Sequence, residues 1–268
     1  MLHHRILFPN EQYRVVLQKT VKYFEGLPGV FAIVLTGSLA RGRAVEGSCI
    51  DLSVFIEKKR FERLAAGLRA RVKAYSRLGG EVCYFHGEIE GGVEFGDVRV
   101  DVNFTDGKFR SGHMSFDVVR DELETTIGNL LVYCVPLFEK GDRYQLLRSR
   151  YLPFYNDALR KERLDGTNEE LSYKSWKTRW LASRGEYFAA LETLLETQGI
   201  FLQHLFIKER KYPIDYVKWL KEQCETILGM PELYPKLTAV VEGIKLNEKG
   251  IINKAAMLEQ LMQQYGTH

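Results

Sequence analysis

The feature that most constrains the fold is a short, wholly apolar run that ends in a glycine and a serine. Residues 30–35 carry no polar side chain, and Thr36, Gly37 and Ser38 follow at once. An apolar run of this length before a turn is typical of a strand that is buried on both faces. The pattern therefore predicts a central strand that ends in a tight turn.

Two later stretches, residues 49–56 and 93–105, alternate between apolar and polar side chains. Such alternation indicates strands with one buried face. Asp51 in the first stretch and Asp101 in the second both lie on the polar face. If the two strands are neighbours, we expect the two carboxylates to converge beside the turn at Gly37.

The rest of the first half has the signals of a mixed α/β domain. Helical spacing predicts helices over residues 10–24, with Asn10 as the N-cap, and over residues 58–75. A strand over residues 81–89 is expected to join the strand over residues 93–105 through a hairpin turn at Gly91 and Gly92.

After residue 116 the pattern predicts helices and no strands. The predicted helices span residues 116–134, 144–163, 169–208, 215–228 and 253–265, with a kink at Gly185. Trp176, Trp180 and Trp219 occur at helical spacing and are interpreted as core residues. The predicted fold class is α+β, with a mixed sheet flanked by helices in domain 1–140 and an all-helical domain over 141–268.

Composition excludes several classes of protein. Hydrophobic residues make up 45% and charged residues 27% of the 268, which is close to the globular average. The net charge of +3 is too mild to predict a nucleic-acid partner. Four widely separated cysteines indicate neither a zinc site nor a disulfide framework. Because no apolar run reaches about 20 residues and no signal peptide is recognisable, we expect no membrane partner and a cytoplasmic location.

The turn and the two carboxylates predict a site for a phosphorylated ligand. Free backbone N–H groups after a strand attract phosphate, and Gly37 lets the backbone approach the ligand while Ser38 adds a hydroxyl donor. Oxygen ligands such as those of Asp51 and Asp101 are what Mg²⁺ requires beside a triphosphate.

Residues 30–105 resemble the DNA polymerase β-type nucleotidyltransferase superfamily. The resemblance rests on Gly37 and Ser38, the aspartate-like positions 49 and 51, and Asp101, and it is closest to small bacterial enzymes that include antibiotic adenylyltransferases. It implies a nucleotidyltransferase fold and transfer of a nucleoside monophosphate from an NTP such as ATP, held with two Mg²⁺ ions, to a hydroxyl of a small molecule. Asp51 and Asp101 are then the catalytic metal ligands, and Gly37 and Ser38 hold phosphate.

The sequence departs from this family at Cys49, which stands where the first metal aspartate belongs. A neutral thiol is a poor ligand for Mg²⁺. The alternative interpretation is therefore a nucleotide-binding pseudoenzyme that acts as a regulatory or interaction module. Glu46, in the loop before Asp51, is a second candidate for the missing ligand, although a surface loop residue is the simpler interpretation.

Three further features allow both a functional and an ordinary structural interpretation. Arg41 follows the turn, and Lys177 lies on a polar helix face; either is a candidate contact for the triphosphate or a solvated charge. Residues 81–101 hold six acidic residues and a single basic one, Arg99, which suits a cationic acceptor or an exposed hairpin equally well.

Overall fold

The computed structural model describes residues 6–87, 89–109 and 121–266. These residues form two compact units. The first combines the residues up to Phe109 with Asn129–Leu152, and the second combines residues 121–128 with residues 153–266. The compact units thus differ from the predicted division at residue 140, because the chain leaves the first unit, returns to it, and leaves it again.

The helices and strands occur in the following order. The strands are β1 (Val30–Thr36), β2 (Ile50–Ile56), β3 (Glu81–His86), β4 (Glu90–Phe95), β5 (Val98–Thr105) and β6 (Val135–Glu139). The helices are α1 (Glu11–Glu25), α2 (Gly37–Ala40), α3 (Lys58–Ala66), α4 (Leu68–Ser76), α5 (Leu123–Ile127), α6 (Arg143–Tyr151), α7 (Asp157–Ser183), α8 (Tyr187–Lys208), α9 (Leu220–Glu222), α10 (Leu233–Val241) and α11 (Glu248–Tyr265). Two π-helical segments span Gly128–Val132 and Gln223–Leu228.

Within the described residues, the first unit is built on one mixed sheet of six strands. Their order is β3-β4-β5-β2-β1-β6, and β2 pairs with β5 in parallel while the other neighbours are antiparallel. The all-buried strand β1 lies inside the sheet, as its apolar run predicts. The α+β fold class, with a sheet and flanking helices followed by a helical region, is confirmed.

One face of the sheet packs against α1 and α4. Asn10 caps α1 as predicted, because its side chain accepts a hydrogen bond from the backbone N–H of Gln12. The apolar side chains that β2 and β5 contribute to this core are Ile50, Leu52, Val54, Ile56, Val98, Val100, Val102 and Phe104. The polar residues that alternate with them must therefore lie on the opposite face.

The predicted hairpin at Gly91 and Gly92 is wrong, because both glycines lie inside β4. Three strands replace the two that were predicted, with turns after His86 and at Gly96. Gly96 has a φ of +60°, which suits a tight turn. Gly92 instead gives room to a side chain of the neighbouring strand, since a Cβ there would lie 2.2 Å from the ring of Tyr84.

The prediction that no strand follows residue 116 is also wrong. Residues Val135–Glu139 form β6, which pairs with β1 at the edge of the sheet. Pro136 lacks an N–H group, and an edge strand tolerates this because one side of the strand has no partner. Part of the helix predicted over residues 116–134 lies outside the described residues; the described part is α5 and a π-helical segment.

The second unit is helical. Gly166 lies inside the 27-residue helix α7 and does not end it, whereas Gly185, at a φ of +81°, separates α7 from α8. The long helix predicted over residues 169–208 is therefore two helices that pack against each other. The core prediction for the tryptophans is wrong: Trp176, Trp180 and Trp219 are 56%, 42% and 43% exposed.

Across residues 6–87, 89–109 and 121–266, no helix combines the length and the apolar character that crossing a membrane requires.

Candidate active site

The two predicted carboxylates are neighbours in the sheet. Asp51 of β2 and Asp101 of β5 are register partners in the parallel pair. Because Leu52 and Val102, the next residues of the two strands, point into the core, both carboxylates lie on the opposite face of the sheet. The structure thus places Asp51 and Asp101 side by side on one face.

Gly37 lies directly against Asp51. A Cβ atom on Gly37 would be 1.8 Å from Oδ2 of Asp51, and the residue has a φ of +67°. Both facts require glycine at this position, because any side chain would collide with the carboxylate and strain the backbone. The turn after β1 and the carboxylate of Asp51 therefore form one continuous surface.

The segment after the turn is a single helical turn, α2, in which Leu39 and Ala40 are buried. A helix this short has little macrodipole, so an anion here would depend on backbone N–H groups. The guanidinium of Arg41 is also buried, and its Nη1 donates a hydrogen bond of 3.0 Å to the carbonyl oxygen of Gly37. Arg41 braces the turn, and its contact with a triphosphate stays a prediction.

The carboxyl of Asp51 has an unusual affinity for protons. Burial and then the neighbouring Asp101 raise the pKa of Asp51 from its usual 3.8 to about 6, although Arg99 and Arg41 oppose the shift. A buried carboxylate beside another carboxylate is an unfavourable arrangement, and a bound cation would relieve it.

Cys49 is close to both carboxylates and does not share their charge. Burial, together with Asp101 and Asp51, raises the pKa of the Cys49 thiol to about 11, so it is neutral at pH 7. The Nη2 atom of Arg99 donates a hydrogen bond to Sγ of Cys49 at 2.6 Å. The Nε atom of the same guanidinium lies 3.2 Å from Oδ1 of Asp101.

The donors present fit one divalent ion better than two. Oδ1 of Asp101 is buried, and among the described residues its charged neighbour is Arg99, whose Nε lies 3.2 Å away without the geometry of a hydrogen bond. Mg²⁺ is commonly held by one or two carboxylates together with substrate phosphates, which Asp51 and Asp101 can provide. Among residues 6–87, 89–109 and 121–266, however, no three His, Cys, Asp or Glu side chains form a metal-binding group.

Three residues for which the sequence predicted no role at the site line the same region. Arg99 lies two positions before Asp101 in β5, so the alternation of that strand places it on the face of Asp101. Tyr84 donates a hydrogen bond of 2.9 Å to Glu90, and its pKa is raised by burial first and by Glu90 next. Gly92, the register partner of Asp101, gives room for the Tyr84 ring, although its sequence pattern had predicted a turn.

The remaining candidates belong to other elements or lie outside the described residues. Lys177 belongs to α7 of the second unit, where its Nζ lies 5.7 Å from the centre of the Tyr173 ring, so its role at the site stays a prediction. Glu46 is exposed in the loop between α2 and β2, and Asp97 is exposed in the turn before β5. Glu88 of the acidic segment lies outside the described residues.

Comparison with known proteins gives a family match and a similar solved structure. Residues 17–100 match the family model described as a nucleotidyltransferase domain. The chain is also similar to the crystal structure of a nucleotidyltransferase-like protein from Exiguobacterium sibiricum, with 13% identity, a TM-score of 0.45, and coverage of 94% of this chain and 75% of that one. None of the curated protein sequences matches this chain.

Residues 17–100 are therefore a nucleotidyltransferase domain, and the prediction of the nucleotidyltransferase superfamily is confirmed for this part of the chain. The match supports nucleotidyl transfer in general.

Proposed function

We propose that this protein binds a nucleoside triphosphate at the Gly37–Ser38 turn and transfers its nucleoside monophosphate to a hydroxyl of a small-molecule acceptor in the cytoplasm. The observation that carries the proposal is the contact between Gly37 and Asp51, with Asp101 as the register partner of Asp51. A backbone that can approach phosphate and two adjacent carboxylates are what this reaction class needs.

Each residue has a role in this proposal. The backbone around Gly37 and Ser38 orients the triphosphate, and Arg41 fixes the turn from behind by holding the Gly37 carbonyl. Asp51 and Asp101 would hold Mg²⁺, which when bound neutralises phosphate charge. Asp101 also orients the acceptor hydroxyl and accepts its proton, because its carboxylate is the register partner of Asp51 on the same face of the sheet.

The acidic surroundings support a cationic acceptor such as an amino sugar. Glu90 is half-buried, hydrogen-bonded by Tyr84, and close enough to contribute to the raised pKa of Asp51. A carboxylate fixed near the reacting groups attracts a positively charged substrate and steers it into place.

A second candidate function is nucleotide binding without turnover, in a regulatory or interaction module. The neutral Cys49 thiol and its hydrogen bond from Arg99 favour this candidate, because they remove one anionic ligand from the site. Both candidates share the same nucleotide site and differ only in chemistry.

Calorimetry with each of the four common nucleoside triphosphates and Mg²⁺ tests the binding site, and pyrophosphate release in the presence of hydroxylated amines tests transfer. We expect Asp101→Asn to abolish release. The matched control is Asp97→Asn, which removes the same charge at an exposed position of the turn before β5.

Binding with release establishes the transferase, and binding without release of pyrophosphate for any acceptor establishes the module. If none of the four nucleotides binds, both candidates fail.

A further inference from the structure

We propose that the guanidinium of Arg99 takes the place of one of the two divalent ions, so that the site works with a single ion and a built-in arginine. The inference rests on the proposed function, because it concerns how the same site balances the charge of a nucleoside triphosphate. It assigns to Arg99 a role that its position in the sequence alone did not suggest.

Arg99 contacts both Asp101 and Cys49. One guanidinium nitrogen lies 3.2 Å from Oδ1 of Asp101, and another donates a hydrogen bond of 2.6 Å to Sγ of Cys49. The guanidinium thus lies between Asp101 and Cys49, and Cys49 stands at the position of the missing carboxylate. In a two-ion site with carboxylates at positions 49 and 101, a divalent ion would lie between them and bind both.

The formal charge of the site is the same in the two arrangements. Three carboxylates with two divalent ions carry a formal charge of plus one. Two carboxylates with one divalent ion and one guanidinium carry the same formal charge. The replacement of an aspartate by Cys49 and the presence of Arg99 therefore compensate each other, and the site keeps the positive charge that a triphosphate requires.

Arg99 is accessible to a bound triphosphate. Its side chain is 45% exposed, so the guanidinium is not locked inside the protein. The Arg99 end of the ion pair is half-exposed although the carboxylate of Asp101 is not, so the guanidinium can turn part of its hydrogen-bonding capacity toward a phosphate oxygen while it stays beside Asp101. Arginine is well suited to this exchange because its planar fork matches phosphate geometry.

The decisive measurement is the number of ions bound with the nucleotide. Mn²⁺ is titrated in the presence of a triphosphate analogue with a methylene group between the α- and β-phosphorus atoms, and free Mn²⁺ is followed by electron paramagnetic resonance. We expect one Mn²⁺ per bound analogue in the natural chain. In the double variant Cys49→Asp, Arg99→Met, which restores the carboxylate and removes the guanidinium, we expect two.

A second measurement assigns the effect to Arg99 itself. Calorimetry at saturating Mg²⁺ should show that Arg99→Met binds the analogue about tenfold more weakly, since it loses a charge-assisted hydrogen bond. The matched control is Arg143→Met. Arg143 pairs at 3.0 Å with Glu57, which follows the last residue of β2, whereas Asp51 lies at the other end of that strand. Loss of the Arg143 guanidinium should therefore leave the affinity unchanged.

The outcomes separate this inference from the proposed function. Two Mn²⁺ per analogue in the natural chain, or unchanged affinity in Arg99→Met, overturns the role of Arg99 and leaves nucleotide binding intact. Absence of analogue binding in the natural chain overturns both. One ion per analogue together with the weaker binding of Arg99→Met supports the inference, whether or not the double variant folds.

Discussion

Gly37 and Asp51 are packed so closely that a Cβ atom on Gly37 would lie 1.8 Å from Oδ2 of Asp51. The turn after β1 and the carboxylate of β2 therefore depend on each other. A change in the turn must move the carboxylate, and a change in the carboxylate alters the surroundings of the turn.

Replacement of Gly37 by alanine should both destabilise the protein and abolish nucleotide binding. The positive φ of Gly37 disfavours any side chain, and the added carbon collides with Asp51. We expect the free energy of unfolding to fall by about 1–3 kcal/mol. Urea denaturation and calorimetry with a nucleoside triphosphate measure the two effects.

The matched control is Gly47→Ala. Gly47 also has a positive φ, +83°, but a Cβ there would meet no atom within 4 Å. It should share the backbone strain and leave nucleotide binding intact. Equal loss of binding in both variants would contradict the assigned contact between Gly37 and Asp51.

Asp51→Asn should stabilise the protein at alkaline pH. The pKa of Asp51 in the folded state is about 6, above its usual 3.8, so the folded protein holds this proton more tightly than the unfolded chain. The stability due to this proton is present below about pH 4 and lost as the pH rises through about 6. The variant keeps a neutral side chain throughout.

We expect a gain of about 1–3 kcal/mol at pH 8 that disappears near pH 4, measured by urea denaturation in the presence of a chelator. Asp97→Asn, at an exposed position, is the control and should change little. A variant less stable than the natural chain at pH 8 would refute the electrostatic argument.

Arg163→Met should strongly destabilise the second unit. Arg163 and Glu124 are 3% and 0% exposed, and the guanidinium donates to both oxygens of Glu124 and, at 2.8 Å, to Asp121. The methionine would leave these carboxylates buried beside no guanidinium. We expect the free energy of unfolding to fall by about 3–5 kcal/mol.

Lys161→Met serves as the comparison, because Lys161 pairs with Asp165 on the exposed side of the same helix. Its loss should leave the midpoint of urea denaturation nearly unchanged, because an exposed ion pair contributes little to stability. Similar effects of the two substitutions would mean that the buried ion pair is not formed in solution.

Trp176→Ala should have little effect on stability, although tryptophan is usually a core residue. Its ring is 56% exposed and stacks on Trp180, with 5.8 Å between the ring centres. Phe201→Ala, at a fully buried position of α8, should instead cost about 3–5 kcal/mol. Thermal denaturation of the two variants compares them, and a larger loss for Trp176→Ala would show that the tryptophan pair is covered in solution.

The sequence predicted the parts of the site that depend on local pattern. The apolar run of β1 and the alternation of β2 and β5 were enough to put Asp51 and Asp101 on one face, because side chains alternate along a strand. The pairing of β2 with β5 was a condition of that prediction, and the structure supplies it. The same alternation placed Arg99 beside Asp101, but its contact with Cys49 depends on the pairing of two distant segments.

Features decided by tertiary contacts were not predictable from pattern. Gly91 and Gly92 looked like a turn, yet they lie in β4, where the absence of side chains makes room for neighbouring rings. The segment of residues 135–139 is short and contains a proline, so its pattern alone does not predict a strand. It forms a strand because it pairs with β1. The tryptophans of α7 have helical spacing, but the neighbours that α7 packs against decide which of its faces is buried.

The late position of β6 has a consequence for synthesis of the chain. The hydrogen-bonding edge of β1 that receives β6 is complete only after about a hundred further residues have left the ribosome, because β6 begins at Val135. Until then a wholly apolar strand presents an open edge, which is the kind of surface that recruits strands from other chains. Until β6 has been synthesised, a nascent chain can therefore aggregate through this edge of β1, and a chaperone that covers the edge would favour the native sheet.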